Sequence, residues 1–214
     1  MPATPTTELL HFHDPMCSWC WAFRPTWQQL RTQLPADLPV RRIVGGLAPD
    51  SDVPMDPAMR AKLESIWKAI QVRVPGTQFN FDFWTRCAPR RSTYNACRAV
   101  LAAKQLDPSA EERMISAIQE AYYLNARNPS DISTLVEIAR EGGLDAPAFA
   151  ALLSGPDVEA LLQAEIGFAR RAPINGFPSL LLQTPTGLHA IDLDYLNPKP
   201  MRLQIEAALG GVVA

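Results

Sequence analysis

Two cysteines separated by two residues, Cys17-Ser18-Trp19-Cys20, are the stretch of this sequence best suited to chemistry. Two thiols at that spacing are required for dithiol–disulfide exchange and also occur in zinc sites. The pair follows a short apolar segment, residues 8–13, and opens a pattern typical of an amphipathic helix. At a helix N-terminus, the free backbone N–H groups and the helix dipole stabilise the thiolate of Cys17. We therefore predict that Cys17 attacks and that Cys20, one turn later, resolves the mixed disulfide.

Zinc binding is the weaker alternative for this pair. A structural zinc site needs four ligands, but Cys87 and Cys97 do not form a second Cys-x-x-Cys and the chain has only three histidines. The sequence thus favours redox chemistry without a metal or a bound cofactor. Cys97 fits a small buried residue on a helix, and a second redox pair with Cys87 is the alternative.

The overall composition is that of an ordinary globular protein. The 214 residues are 47% hydrophobic and 20% charged, with a formal net charge of −2 and basic residues that are scattered or paired. These values give no sign of nucleic-acid binding, and no apolar run is long enough to cross a bilayer. Residues 1–7 lack the basic and apolar stretches of a secretory signal. We expect a cytoplasmic protein, in which a Cys-x-x-Cys pair is more often reactive than structural.

Hydrophobic periodicity predicts the elements that position the two thiols. Residues 8–13 and 40–44 are expected to form strands on either side of the helix that begins near Cys17. Near the other end of the chain, residues 179–191 predict a strand hairpin, and Asn197 is expected to cap a final helix. The order of elements is therefore βαβ, a block of helices, then ββα.

The helical block between these halves carries several apolar stripes. One of its helices is introduced by a capping box at residues 109–112, and residues 74–89 are expected to form a loop. That loop holds an aromatic cluster, which we expect to be core of the helical region: Phe79, Phe81, Phe83 and Trp84. Gly210 and Gly211 are expected to end the final helix.

Two polar residues precede the cysteine pair. We expect His13, at the end of a strand, to be a surface or packing residue, with an influence on the reactive thiol as the alternative. Asp14 is expected to cap the turn, although a carboxylate close to a thiol would also raise the thiol pKa by repulsion.

The order of elements and four short segments resemble the DsbA branch of the thioredoxin superfamily. The segments are residues 13–23, 44–47, 94–99 and 175–179, of which the first and the last are the specific ones. The resemblance implies an α/β protein with a thioredoxin-like fold. It also implies two parts, which are a discontinuous thioredoxin-like domain (residues 1–55 and 173–214) and an all-helical insertion domain (residues 56–172).

The resemblance further implies that Pro178 is a cis proline that packs against the Cys17–Cys20 pair. Such a proline has no N–H to donate, which leaves a strand edge free for an extended substrate. The expected catalytic residues are then Cys17, Cys20 and Pro178. The expected substrate-binding residues are Ser18, Trp19 and Phe177.

The function implied is that of a thiol–disulfide oxidoreductase, a disulfide reductase or isomerase. Its partners would be protein or low-molecular-weight thiols and disulfides, with glutathione as a candidate electron donor, and the protein would be a monomer or a homodimer. The main alternative is a glutathione-dependent enzyme. Kappa-class glutathione transferases and 2-hydroxychromene-2-carboxylate isomerases have a similar topology, but they place a serine where Cys17 stands. A partner-binding module without catalysis is the third reading.

Overall fold

Four strands form one mixed sheet in the computed structural model of the chain, which describes residues 7–210. The strands are β1 (Glu8–His13), β2 (Val40–Val44), β3 (Ser179–Thr184) and β4 (Gly187–Ile191). Their spatial order is β2-β1-β3-β4; β1 is parallel to β2 and antiparallel to β3, and β3 is antiparallel to β4. The predicted βαβ unit and hairpin are confirmed.

Within the same range the helices are α1 (Ser18–Gln33), α2 (Pro57–Arg73), α3 (Phe83–Arg86), α4 (Tyr94–Leu106), α5 (Ala110–Tyr123), α6 (Ile132–Glu141), α7 (Ala146–Leu153), α8 (Pro156–Arg171) and α9 (Pro198–Gly210). Helices α2 to α8 lie between β2 and β3 in the chain, so the α/β class with a helical insertion is confirmed. Two regions lie outside the described residues. They are residues 1–6, most of the segment that lacks the features of a secretory signal, and residues 211–214, of which Gly211 was expected to help end the final helix.

The alternation of side chains along the strands places helices on both faces of the sheet. Leu9, Leu180 and Leu182 pack with α1 and α9 on one face. Leu10 and Leu181 point to the other face, against α8. β1 lies between β2 and β3 and is covered on both faces, so the residues at and just after its C-terminal end, His13 and Asp14, are buried in the interior of the protein.

The helical block has cores of its own. The aromatic cluster predicted to be core is confirmed: Phe83 and Trp84 are buried with Trp67 and Tyr123, and Phe79 and Phe81 pack against them. No helix among residues 7–210 is long and apolar enough to span a membrane.

Two local expectations are wrong. The stretch 74–89 is not entirely loop, because α3 forms one helical turn inside it. At the start of α5, the Ser109 side chain makes no capping hydrogen bond to the helix. Ser109 has helical backbone dihedrals (φ −75°, ψ −13°) rather than the extended ones of a capping residue, and its hydroxyl donates to Asp107, 2.8 Å away.

Candidate active site at the start of helix α1

The turn between β1 and α1 places Cys17 immediately before the first residue of the helix. The Asp14 carboxylate accepts a hydrogen bond from the N–H of Met16 (2.8 Å), and the Asp14 carbonyl accepts one from the N–H of Cys17 (3.0 Å). Cys17 is the N-cap of α1, and its Sγ accepts from the N–H of Cys20 at 3.4 Å. The sulfur therefore lies at the positive end of the helix dipole, where a thiolate is stabilised.

The loop before β3 meets the cysteine pair from the opposite side. The Phe177–Pro178 peptide bond is cis, as the resemblance implies. The Cys17 thiol donates to the carbonyl oxygen of Phe177 at 3.3 Å, across 160 positions of sequence. The structure thus brings Cys17, Cys20, Phe177 and Pro178 together, while their catalytic and substrate-binding roles stay predictions.

Gly45 makes room for this loop. It follows β2, and a Cβ atom at Gly45 would lie only 1.9 Å from Cζ of the Phe177 ring. The ring therefore rests directly on the glycine backbone, which donates its own N–H to the carbonyl of His13 (2.7 Å). In the sequence, Gly45 and Gly46 mark the end of the second strand and belong to the segment 44–47 of the resemblance; the contact with Phe177 gives the physical reason for a glycine at position 45.

The two thiols are almost equally buried, at 6% exposed for Cys17 and 5% for Cys20. An attacking thiol at the helix start is expected to be nearer solvent than the resolving one, but exposure does not distinguish Cys17 from Cys20 in this structure. Burial raises the pKa of Cys20 well above its usual value, and the neighbouring Cys17 and Asp14 add to the rise. A thiol held protonated in this way suits the second step of exchange rather than the first.

Asp14 is both a turn cap and a buried charge beneath the pair. It is fully buried, and its Oδ2 accepts from the N–H of Leu47 (2.8 Å), the hydroxyl of Thr93 (2.8 Å) and the thiol of Cys97 (3.5 Å). Burial raises the pKa of Asp14, and these hydrogen bonds oppose that rise. Both roles considered from the sequence are present, because the carboxylate organises the turn and raises the pKa of Cys20.

Burial of the Asp14 charge is unfavourable, but in Asp14→Asn one amide oxygen cannot replace two carboxylate oxygens and the two amide N–H groups would face donors. We expect the lost hydrogen bonds to outweigh the relief of burying a charge, so that Asp14→Asn destabilises the protein by about 1–3 kcal/mol at neutral pH. Urea unfolding of the reduced protein measures this change. Thr93→Val, which removes one of the four donors, is the matched control and should cost less. An Asp14→Asn protein as stable as the parent would contradict the assignment.

Ser18 and Trp19 lie between the cysteines and are half-buried. A hydroxyl at position 18 could donate to the Cys17 sulfur, but within the described chain the Ser18 hydroxyl makes no hydrogen bond. The Cys17 sulfur instead contacts the Phe177 carbonyl and the N–H of Cys20. Trp19 packs edge-on against Tyr195 (5.4 Å between ring centroids) and lies under the guanidinium of Arg73. Trp19 is therefore fixed beside the cysteines rather than fully exposed.

Several residues near the thiols carried no signal in the sequence. The Tyr123 hydroxyl donates to the carbonyl of Met16 (2.8 Å), and charge on either cysteine adds to the burial that raises the pKa of Tyr195. Thr93 and Cys97 reach Asp14 from the start of α4. Cys97 belongs to the segment 94–99 of the resemblance, which is a partial sequence signal for it. No pattern in the sequence singles out Tyr123 or Tyr195.

Cys87 and Cys97 are not bridged to each other. Cys97 is wholly buried beside Asp14, whereas Cys87 is half-buried and donates to the carbonyl of Ala126 at 3.0 Å. Burial raises the pKa of both thiols. The prediction that Cys97 is a small buried residue on a helix is confirmed. No group of three or more histidine, cysteine or acidic residues in the range 7–210 is arranged to hold a metal ion.

Solved structures of similar proteins share this arrangement of elements. A candidate protein disulfide isomerase from Nitrosomonas europaea superposes with a TM-score of 0.84 at 25% identity, covering 96% of this chain and 98% of the other. The cytosolic disulfide reductase DsbM from Pseudomonas aeruginosa superposes with a TM-score of 0.76 at 27% identity, over 95% and 98% of the two chains. The same reductase has been solved with glutathione (TM-score 0.73).

Curated relatives are more distant. The ClpXP adapter protein SpxH of Halalkalibacterium halodurans is 25% identical over 178 residues, and that of Bacillus subtilis is 24% identical over 174 residues. Both alignments cover 81% of this chain, which spans 58% and 57% of the length of these relatives. The model of the DsbA-like thioredoxin domain matches residues 8–197, which include the cysteine pair and the cis proline. This chain therefore belongs to the DsbA-like thioredoxin domain family.

Proposed function

We propose that this protein is a cytoplasmic dithiol oxidoreductase that reduces or isomerises disulfides of proteins or small molecules. The observation that carries the proposal is the position of the Cys17 sulfur. It caps the helix that contains Cys20, and it touches the carbonyl that precedes a cis proline. A substrate disulfide that pairs with the Phe177–Pro178 segment would arrive directly at the thiol that attacks it.

The exchange takes two displacements. The Cys17 thiolate attacks a substrate disulfide, forms a mixed disulfide and releases one substrate thiolate. The Cys20 thiol then loses its proton and attacks the Cys17 sulfur, so that a Cys17–Cys20 disulfide forms and the second substrate thiolate leaves. The substrate gains two electrons, and two molecules of a low-molecular-weight thiol return two electrons to the Cys17–Cys20 disulfide and leave joined as their own disulfide. Glutathione is the candidate donor, in agreement with the glutathione-bound structure of the related reductase.

The direction of flux is proposed to be reductive. The dipeptide between the cysteines, Ser18-Trp19, contains no histidine that could stabilise the thiolate with a positive charge. A couple with a less stabilised thiolate is a weaker oxidant, which suits a compartment where glutathione keeps thiols reduced. The related protein from Pseudomonas aeruginosa is described as a cytosolic disulfide reductase.

Trapping of mixed disulfides tests this proposal. Cys20→Ser should retain the attacking thiol but lose the resolving one, so that disulfide-linked adducts with substrates accumulate and are released by dithiothreitol. Cys17→Ser, the matched control, should form none at residue 17 and should lose reductase turnover. Equal adduct yields from the two variants, or turnover that survives Cys17→Ser, would overturn the proposal.

A second candidate function follows from the relatives that are ClpXP adapters. In this alternative, the fold is a docking surface and the thiols are dispensable. A variant with both Cys17 and Cys20 changed to serine separates the two: it abolishes dithiol turnover but should retain partner binding if the scaffold alone serves. The glutathione transferase alternative is less favoured, because a second cysteine stands within reach of Cys17.

A further inference from the structure

A small chamber lies on the Cys20 side of α1, enclosed by β1, α1 and α5. Its volume is about 30 Å³, and Cys20 lines it while Cys17 does not. Its buried polar side chains are His11, His13 and Gln119, and its lining continues to Ser116 and Glu112, which are nearer the surface. The rest of the lining is the apolar side chains of Phe23, Trp27 and Ile115 and the two cations Arg24 and Arg42. We refer to this space as the polar chamber.

The polar chamber contains an unusual set of unsatisfied polar atoms. His11, His13 and Gln119 are 8%, 2% and 2% exposed. Within residues 7–210, neither ring nitrogen of His11, nor Nε2 of His13, nor Oε1 of Gln119 has a hydrogen-bond partner. A buried polar group that lacks a hydrogen-bond partner destabilises the folded protein. Water offers these atoms both donors and acceptors, and the volume suffices for at least one molecule.

The two histidines are suited to holding water as neutral rings. Burial lowers the pKa of His13 to about 3, and Arg42 and Lys104 add to this effect. Burial, His13, Arg42 and Arg31 lower the pKa of His11 in the same way. A neutral imidazole has one donor and one acceptor, so it can pass a proton across its ring without keeping the charge. Arg42 is itself paired with Glu111 and Glu112.

The buried carboxylate of Asp14, which raises the pKa of Cys20, is engaged elsewhere. Both oxygens of Asp14 accept hydrogen bonds, from two backbone N–H groups, the Thr93 hydroxyl and the Cys97 thiol. No hydrogen bond joins this carboxylate to the Cys20 thiol in the described part of the chain. The polar chamber is the space that Cys20 lines directly.

We propose that the polar chamber is the path by which the Cys20 proton leaves during the resolving step, through water positioned by His11, His13 and Gln119. The proposal rests on the dithiol function proposed above. As Cys20 attacks the sulfur of Cys17, its proton passes to chamber water and on to solvent near Glu112 and Ser116. The Cys17–Cys20 bond forms, the bond from Cys17 to the substrate breaks, and the leaving substrate thiolate takes a proton from solvent. His11, His13 and Gln119 are positioning residues in this step.

Reaction of the reduced protein with 5,5′-dithiobis(2-nitrobenzoate) measures the two displacements separately. The first released thiolate reports attack by Cys17, and the second reports resolution by Cys20. We expect His13→Phe to slow the second phase about tenfold or more and to leave the first unchanged, because the route for the proton is lost only for Cys20. His13→Gln, which restores a polar atom, should recover much of the rate. His189→Phe, on β4, is the matched control and should change neither phase.

Gln119→Leu provides an independent variant, since it removes a chamber oxygen without touching β1. It too should slow the second phase alone, and because loss of the Cys20 proton then limits the rate, the second phase of either apolar variant should be slowed in D₂O by at least as large a factor as that of the parent protein. An unchanged second phase in both apolar variants, or equal slowing of both phases, would overturn the proposal. If the parent itself released one thiolate and stopped, the dithiol function would fail instead.

Discussion

Gly45→Ala is expected to lower disulfide reductase turnover about a hundredfold. The added methyl group would lie 1.9 Å from Cζ of Phe177, and the ring could not remain where it is. Phe177 carries the carbonyl that accepts from the Cys17 thiol, so displacing the ring also displaces that carbonyl and the adjoining Pro178. Misplacing a substrate-positioning group by about 1 Å is enough for an effect of this size.

The kcat for reduction of a protein disulfide, with urea unfolding measured beside it, checks this expectation. Gly142→Ala is the matched control, because its Cβ would meet only ordinary contacts, at 3.4 Å or more, and should leave kcat unchanged. Combining Gly45→Ala with Phe177→Ala removes the clash, so the double variant should lose less activity than the two single effects predict together. A Gly45→Ala protein with parental kcat would refute the role given to this contact.

Lowering the pH from 7 to 5 is expected to reduce the free energy of unfolding by about 2 kcal/mol through His13 alone. Burial holds the pKa of His13 near 3 in the folded protein, against about 6.5 in the unfolded chain. The unfolded state therefore binds the proton first, and the stability present above pH 6.5 is lost as the pH falls toward 3. His11 acts in the same direction, because burial lowers its pKa as well.

Two acids oppose this trend. Burial raises the pKa of Asp14 and of Glu165, so the folded protein takes up their protons first and gains stability on acidification through the window above their usual pKa. The effect of His13 is isolated by measuring urea unfolding of the parent and of His13→Phe at pH 7 and pH 5. The difference in unfolding free energy between them should shift by about 2 kcal/mol toward the variant at pH 5. Parallel pH profiles would show that His13 is not buried as a neutral ring.

The sequence was sufficient to predict β1, α1 and β2, because the apolar residues that each element buries recur with a regular spacing inside the element itself. The cis proline could be predicted only through resemblance, since no local pattern separates cis from trans. The partners of Asp14 were out of reach, because Thr93 is 79 positions away and touches it only through the packing of α4. The same applies to Gly45 beneath Phe177, where the reason for a glycine is a side chain from the far end of the chain.

The two histidines show a different limit. Residues 11 and 13 lie on the same face of β1, as strand alternation requires, and one of that face's other members, Leu9, is core. A polar residue at a strand end is ordinarily assigned to the surface, so the sequence favoured surface or packing for His13. Their burial depends on Gln119 of α5 and on the packing of His11 against Trp27 (4.3 Å between ring centroids). Both partners belong to other elements, Trp27 to α1 and Gln119 to α5, so the residues of β1 alone could not reveal the burial.

The donors around Asp14 also bear on how this protein can be re-engineered. They come from the active-site turn, from the end of β2 and from the start of α4, while α5 is tied to the same turn through Tyr123. The helical region therefore cannot be exchanged without changing contacts at the active-site turn. Deleting it, or grafting one from a relative to alter substrate range, would strip a buried carboxylate of two of its four donors. A transplanted helix must supply a hydroxyl and a thiol-sized donor at the positions of Thr93 and Cys97.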